Sequence, residues 1–260
     1  MFNNIYAEII KLLKKKMFWF TQIVLLIIVI FSFYQKAFNI NSGMYQPEIV
    51  TSNYMCIFNL ATISVFSFYY AIIIFGLVSS QDFECNCMSY IILKYKRLYF
   101  NIIKIVSCII VILITGLTFS IIGYVEGALF KGSIQQINLY NYFFSLLNYL
   151  LICMSYGMVS YLLVFIFKSA PFGVITYIIF SFLENYINNY IGIFKKVTKN
   201  SNNLMYYGFN KIIKENDKQI IFAIREPIYK YIPSLLFILS FIFIIFIVAE
   251  IIALLRDYDA

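Results

Sequence analysis

The sequence of 260 residues contains no histidine, and only 12% of its residues are charged. The absence of histidine excludes imidazole acid–base catalysis and histidine-ligated zinc. An average soluble domain carries about 25% charged residues. A chain with 62% hydrophobic residues has too few polar side chains to cover a water-exposed surface. These shortages exclude a soluble enzyme fold, and the high hydrophobicity excludes a disordered chain.

The cysteines and the basic residues are scattered along the chain. Of the five cysteines, only Cys85 and Cys87 stand close together, and no second pair accompanies them, so we predict no metal or redox centre. The formal net charge is +8, which fits contact with anionic lipid headgroups. Since the basic residues are dispersed between apolar segments, we predict no nucleic-acid partner.

Long apolar runs predict an all-α integral membrane protein that forms a single transmembrane domain over residues 1–260. Each span needs about 20 apolar residues, and the apolar content suffices for six. Pro171 suits the first turn of the fifth span, where its missing N–H is not needed. A five-span arrangement, with a buried hairpin in place of the fifth span and the last loop inside, is the alternative. The predicted spans cover residues 17–35, 54–78, 105–125, 142–167, 171–185 and 232–255.

The first residues predict an amphipathic helix over residues 2–16 that lies in the membrane interface. Its apolar residues recur at helical spacing along one side, and they are Phe2, Ile5, Tyr6, Ile9 and Leu13. We expect Glu8 and the lysines of this segment to face elsewhere. The alternative is a basic topology signal without a helical role.

The lysines around the first span orient the chain. The run Lys14–Lys16 precedes this span and only Lys36 closely follows it, which predicts a cytoplasmic amino terminus. This orientation places the 79–104 loop inside the cell and the 186–231 loop outside. Because the basic residues divide equally between the two sides, the orientation rests on the first span alone.

Ionisable and nucleotide-binding residues are scarce within the predicted spans. Only Glu250 lies inside one, and Glu126 stands at a helix end, so transport by a buried carboxylate relay has weak support. The segment from Gly127 to Gly132 lacks the lysine of a phosphate-binding loop, and no serine or cysteine has a base partner. We therefore predict no catalytic or ATP-binding site on this chain. Gly123 and Gly127 form a G-x-x-x-G pattern, which favours close helix packing.

The polar loop between the second and third spans carries an ordered set of residues, namely Glu84, Ser89, Ile92-Leu93, Arg97 and Lys104. Together with the amino-terminal helix and the six spans, this loop resembles the permease subunits of type-2 ABC exporters over essentially the whole chain. In that family the loop reads acidic residue, small or hydroxyl residue, apolar pair and basic residue, followed by a lysine. Here Met88-Ser89 replaces the usual Gly-Thr, the proline before the basic residue is missing, and the segment is shorter.

The resemblance implies a cytoplasmic coupling helix between spans two and three that docks into a separate ATPase subunit. The residues expected to contact that subunit are Glu84, Asn86, Ser89, Tyr90, Lys94 and Arg97. Two copies of the ATPase would bind ATP and Mg, and this chain would bind no cofactor. A second permease subunit, identical or homologous, would complete the pathway.

Short permeases of this family often serve bacteriocin or lantibiotic immunity, or peptide export. The resemblance therefore implies a multi-pass protein of the bacterial plasma membrane. It would move an amphipathic substrate, an antimicrobial peptide, outward from the membrane. Two alternatives stay open, namely a non-transporting membrane scaffold or sensor component and an ion-coupled carrier.

Overall fold

The computed structural model describes residues 2–41, 52–84, 97–131, 139–169, 171–176, 178–179 and 232–257. Every regular element in these ranges is a helix, which confirms the all-α prediction. The six main helices are α1 (Phe2–Leu13), α2 (Lys16–Asn41), α3 (Ser52–Glu84), α4 (Arg97–Lys131), α5 (Leu139–Phe167) and α6 (Ile232–Asp257).

Four of these helices are long and apolar enough to cross a membrane, and a bent pair within α3 raises the number to as many as five. The chain is therefore a multi-pass membrane protein. The predicted fifth span, 171–185, is described only at 171–176 and 178–179, which are helical. The predicted 186–231 loop lies outside the described residues. The candidate spans are Lys16–Phe38, Leu98–Leu129, Ser145–Phe167 and Ile232–Ile252, with Tyr54–Ser64 and Tyr69–Ser80 as the bent pair.

The helices α3 and α4 are longer than the sequence predicted. At about 1.5 Å per residue each is about 50 Å long, whereas the hydrocarbon layer is about 30 Å thick. Neither 79–84 nor 97–104 contains a glycine or proline to end a helix. Residues predicted to form the ends of the 79–104 loop are therefore helical, and the connection that remains is 85–96, outside the described residues.

The helix α3 is bent by 62° between Tyr54–Ser64 and Tyr69–Ser80. Just before the bend, the hydroxyl of Thr62 donates to the carbonyl of Phe58 at 3.0 Å and that of Ser64 to the carbonyl of Leu60 at 2.7 Å. Hydroxyl groups that bond back to the preceding turn compete with the helical hydrogen bonds and bend helices.

The core of the bundle lies where α3 packs between α4 and α5. Phe75 of α3 is fully buried and sits directly on Gly157 of α5, where a Cβ atom would overlap its ring. The hydroxyl of Ser160 donates to the carbonyl of Ile72 at 2.8 Å, which joins the same two helices. Small residues let these backbones approach closely, as is usual where helices pack in lipid.

The helix directions follow from these contacts. We use the name "α1 end" for the end of the bundle at which α1 packs, and "far end" for the opposite one. The carboxyl-terminal part of α5 lies beside Gly76, towards the α1 end, and Glu250 of α6 also lies there, beside Asn101. Ile238, early in α6, packs on Leu151 of α5. The helices α5 and α6 therefore run parallel to each other.

The chain turns sharply after α5. Lys168 adopts a left-handed conformation with φ of 55°, which ends the helix in the manner of an αL cap. Pro171 is the first residue of the next helical stretch, as predicted. The amide of Gly173 donates to the carbonyl of Ser169, and Gly173 packs so closely on Val164 that a Cβ atom would lie 2.7 Å from its Cγ2.

The helix α1 ends at Leu13, three residues before the predicted boundary at 16. Its buried side differs from the predicted apolar side, because Glu8 and Leu12 are buried with Ile5, while Tyr6 and Leu13 are exposed. The reason is that α1 packs along α4, where the hydroxyl oxygen of Ser107 lies 3.5 Å from the carbonyl oxygen of Ile5. The expectation that Glu8 lies on a different side of α1 from Ile5 was therefore wrong. Ile9 is partly buried against the core, and the side chain of Phe2 lies outside the described residues.

Candidate functional site

Polar side chains lie at three levels along the contact between α3 and α4. Lys104, Thr115 and Glu126 of α4 are all buried and follow one another at intervals of eleven residues. Eleven residues make about three turns and rise about 16 Å, so the three side chains share one face. From Lys104 to Glu126 the rise is about 33 Å, close to the hydrocarbon thickness. We call these three residues, with their partners on α3, the polar seam.

The α1 end of the seam is formed by Lys104. Its ammonium group, fully buried, donates to the carbonyl of Ser79 on α3 at 3.4 Å and lies 5.0 Å from the centre of the Phe100 ring. Cys108 lies one turn further along α4, within electrostatic range of both Lys104 and Glu8. The buried lysine thus joins α3 to α4 beside the amino-terminal helix.

Glu8 brings a carboxylate from α1 into the same end of the bundle. The residue is 3% exposed, and its Oε1 atom accepts a hydrogen bond from Lys11 Nζ at 2.5 Å. Its Oε2 atom is buried and has no hydrogen-bond partner among the described residues. A negative charge at this position would interact strongly with neighbouring charged groups, because charges inside a membrane protein are poorly screened.

The last helix joins this end through Glu250. Asn101 Nδ2 of α4 donates to Glu250 Oε1 at 2.7 Å. A hydrogen bond from an amide to a carboxylate is stronger than one between neutral groups. Lys104 and Asn101 thereby join α4 to α3 and to α6, and α1 packs along the same part of α4.

The middle of the seam links three helices. Gln22 Nε2 of α2 donates to Tyr70 Oη of α3 at 2.9 Å and to Thr115 Oγ1 of α4 at 3.3 Å, and the two hydroxyl oxygens are 2.6 Å apart. Thr115 donates its own proton to the carbonyl of Val111 at 2.9 Å. The hydroxyl of Tyr70 is therefore the donor to Thr115, and the three side chains form one ordered chain of hydrogen bonds.

The far end of the seam pairs Glu126 with Asn59. Asn59 Nδ2 donates to Glu126 Oε2 at 2.8 Å and to the carbonyl of Phe119 at 3.4 Å. A Cβ atom on Gly123 would lie 2.7 Å from Asn59 Nδ2 and 2.9 Å from the backbone carbon of Met55. The helices are therefore closely packed at Gly123, one of the two glycines of the G-x-x-x-G pattern.

Lys36 occupies the far end of α2. Its ammonium group donates to Tyr54 Oη and lies 4.1 Å from the centre of the Tyr54 ring and 3.3 Å from that of Phe58. The two rings are stacked with centres 5.8 Å apart. Contact with aromatic faces stabilises a cation that has lost part of its hydration, so this lysine anchors α2 to α3.

The predicted ATPase contacts are only partly described. Glu84 is the last residue of α3 and Arg97 the first of α4, and both helix ends lie at the α1 end of the bundle. The side chains of these two residues are outside the description. Asn86, Ser89, Tyr90 and Lys94 belong to 85–96, outside the described residues.

The sequence interpretation missed most of the seam. It assigned Lys104 to a loop and Glu126 to a helix end, whereas both lie inside one helix and one candidate span. The missed signal is the eleven-residue interval, which also separates Asn59 from Tyr70 on α3. Repeated polar residues at three-turn spacing in an apolar run indicate a common face.

No family model, curated protein or solved structure matches this chain. The function is therefore inferred from the buried polar and charged side chains of the protein. Ionisable residues inside membrane spans are unfavourable unless they are paired, and they commonly mark functional sites. Here they stand at both ends of the seam, with hydroxyl and amide groups between them.

Proposed function

We propose that this chain is the membrane-spanning permease subunit of an ATP-driven ABC exporter. The observation that carries the proposal is the grouping at the α1 end. There Lys104 bonds the carbonyl of Ser79 on α3 and Asn101 bonds Glu250 of α6, while α1 packs along the same part of α4. The helix ends that flank 85–96 lie at this same end. A movement imposed on that segment would act on helices that extend the whole depth of the bundle.

The proposed orientation places the α1 end in the cytoplasm. The exposed lysines Lys11, Lys14 and Lys16 lie at this end, and cytoplasmic flanks are rich in basic residues. Segment 85–96 would then contain the coupling helix that docks into the ATPase. ATP and Mg would be bound by the two ATPase copies, in agreement with the absence of a phosphate-binding loop in the sequence.

The directions of α5 and α6 support six spans. These helices run parallel, with α5 ending at the α1 end and α6 beginning at the far end. The chain must therefore cross the membrane once more between the end of α5 and the start of α6. We propose that the 171–185 segment makes this crossing. The five-span alternative requires α6 to run antiparallel to α5.

The proposed substrate is an amphipathic peptide taken from the membrane. The exposed sides of α2 and α6 are apolar, with side chains such as Phe20, Phe31, Phe243 and Ile251. Six spans would supply half of a pathway, and a second permease subunit, identical or homologous, would complete it. Antimicrobial peptides fit this chemistry, and immunity or peptide export in a bacterial plasma membrane is the proposed setting.

The test is purification of the tagged full chain from membranes of its native host, with identification of copurifying ATPases. We expect an ATPase to copurify and its ATP turnover to rise in the presence of the chain. The double variant Glu84→Ala and Arg97→Ala should abolish the stimulation without lowering the amount of chain in the membrane. A matched double variant of two exposed far-end residues, Tyr34→Ala and Val125→Ala, should retain the stimulation. Purification without any ATPase, or stimulation that survives the first variant, would contradict the proposal.

An ion-coupled carrier is the second candidate, and the structure gives it a specific observation. Lys104 and Glu126 are buried inside one candidate span, where the sequence interpretation placed no ionisable residue. Intramembrane charges of this kind occur in ion and proton pathways. Transport that persists when ATP is depleted and stops on collapse of the ion gradient would favour this candidate over the exporter.

A further inference from the structure

The pair formed by Glu126 and Asn59 contains an unsatisfied acceptor. Asn59 is 0% exposed and Glu126 is 9% exposed. Asn59 uses its Nδ2 atom to bond Glu126 Oε2, but its Oδ1 atom is buried and meets no hydrogen-bond donor among the described residues. An acceptor buried in this way loses its water without compensation, which is unfavourable.

The orientation of the Asn59 amide is fixed by its surroundings. Two acceptors, Glu126 Oε2 and the carbonyl of Phe119, lie on the Nδ2 side. Turning the amide over would direct Oδ1 at the carbonyl of Phe119, which is an acceptor whatever the protonation state of Glu126, and would leave these two acceptors facing each other. Gly123 is packed against Nδ2 so closely that a Cβ atom would lie 2.7 Å from it. Oδ1 therefore has to find its donor on the side where it now lies.

Among the described residues, Glu126 also lacks a basic partner for a negative charge. No lysine or arginine among the described residues forms an ion pair with it. Titratable groups of three other helices lie towards the same end of the bundle. Cys56 of α3 and Tyr142 of α5 both hydrogen-bond Ser120, and Lys36 of α2 lies over aromatic rings of α3. A carboxylate that is buried without a charged partner is unfavourable, whereas a neutral carboxylic acid is tolerated.

We propose that Glu126 binds a proton and forms a closed acid–amide pair with Asn59, which makes the far end of the seam a proton-binding site. The proton resides on Glu126 Oε1 and is donated to Asn59 Oδ1, while Asn59 Nδ2 donates to Glu126 Oε2. A protonated carboxyl group supplies the single donor that Oδ1 requires. One proton thereby satisfies the buried acceptor and removes the buried charge, and no other bond changes.

This site is separate from the proposed contact with an ATPase. Glu126 lies about 33 Å along α4 from Lys104, at the end of the bundle away from 85–96. The proton-binding site depends on the geometry of Glu126 and Asn59 alone. It can therefore be correct or wrong whatever the ATPase experiment shows.

The first test is infrared difference spectroscopy of the purified full chain in detergent as the pH is raised from neutral to alkaline. We expect a protonated-carboxyl band at neutral pH that is lost at alkaline pH. The band should be absent in Glu126→Gln and retained in Glu250→Gln, the matched control at the α1 end. In Asn59→Leu it should move to higher frequency, because the carbonyl of the acid loses its hydrogen bond. A wild-type chain without the band at neutral pH, or a band that persists in Glu126→Gln, would overturn the proposal.

The second test is the pH dependence of thermal unfolding in the same detergent. A folded chain that holds one proton more than the unfolded chain loses stability as the pH rises. Glutamine carries a similar amide that cannot ionise, so Glu126→Gln should fold and should lose less stability than the wild type between neutral and alkaline pH. Equal loss in the two chains would contradict proton binding at Glu126, and the result does not depend on any transport assay.

Discussion

The helices α5 and α6 are both apolar enough to span a membrane, yet they have different surroundings. In the apolar stretch of α5 that could span the membrane, 61% of the residues are buried inside the protein. In the corresponding stretch of α6, 17% of the residues are buried. The buried helix contains Gly157 and Ser160, which contact α3 directly, whereas α6 carries large exposed side chains such as Phe243. Hydrophobicity therefore does not distinguish a central helix from a peripheral one.

The difference follows from the membrane environment. Lipid tails are as apolar as leucine or phenylalanine, so burying such side chains in protein gives little advantage over leaving them in lipid. Close approach of backbones and hydrogen bonds between polar side chains distinguish helix–helix contacts from helix–lipid contacts. The central helices α3, α4 and α5 carry these features, and most of the surface of α6 does not.

The largest effect is expected at the contact between α3 and α5. Gly157→Val should destabilise the chain by about 1–3 kcal/mol or prevent folding, because its Cβ atom would overlap the fully buried ring of Phe75. The measurement is SDS titration in mixed micelles, combined with the yield of monodisperse protein. Val125→Leu adds volume at an exposed position of α4 and serves as the control. If both variants behave like the wild type, the tight central packing described here is wrong.

A smaller effect is expected in the middle of the polar seam. Tyr70→Phe removes the hydroxyl that joins Gln22 to Thr115, and should lower the free energy of unfolding by about 0.6–1.7 kcal/mol. Combining it with Thr115→Val in a double-mutant cycle should give less than the sum of the two losses. Tyr34→Phe, at an exposed tyrosine of α2, is the control. Strict additivity would show that the two hydroxyls do not interact.

The smallest effect is expected on the exposed side of α6. Phe243→Ala should change the free energy of unfolding by less than about 0.5 kcal/mol, because the side chain meets lipid or detergent. The same titration measures it. A loss of more than about 1 kcal/mol would indicate that another protein surface covers this side of α6, and chemical crosslinking would then identify a second copy of the chain.

The helices themselves were largely predictable. The predicted 142–167 and 232–255 spans correspond to α5 and α6 within a few residues, because long apolar runs bounded by polar residues leave few alternatives in lipid. The boundaries at 79–104 were not predictable from hydrophobicity. A charged residue such as Lys104 indicates a loop when the sequence is considered alone. In the structure Lys104 lies inside α4, where its ammonium group donates to the carbonyl of Ser79.

The candidate site was less predictable than the helices. The sequence analysis noted Glu126 but assigned it no partner, and it did not single out Asn59. Yet Glu126 follows Thr115 by eleven residues, and Asn59 precedes Tyr70 by eleven residues. The buried side of α1 was mistaken for the same reason, since Glu8 is polar and yet lies inside the protein. Polar residues are buried where another helix supplies a partner, and a single chain segment does not reveal that partner.

The sequence alone determined that this protein is helical and lies in a membrane, since backbone groups in lipid must be satisfied within each helix and the apolar residues are plentiful. It also predicted apolar runs that overlap the candidate spans of the described residues. Tertiary structure alone decided which polar residues meet, and Glu126 with Asn59 is the clearest case. The reason is that hydrophobicity acts on each segment independently, whereas a buried hydrogen bond exists only when two particular helix faces come together.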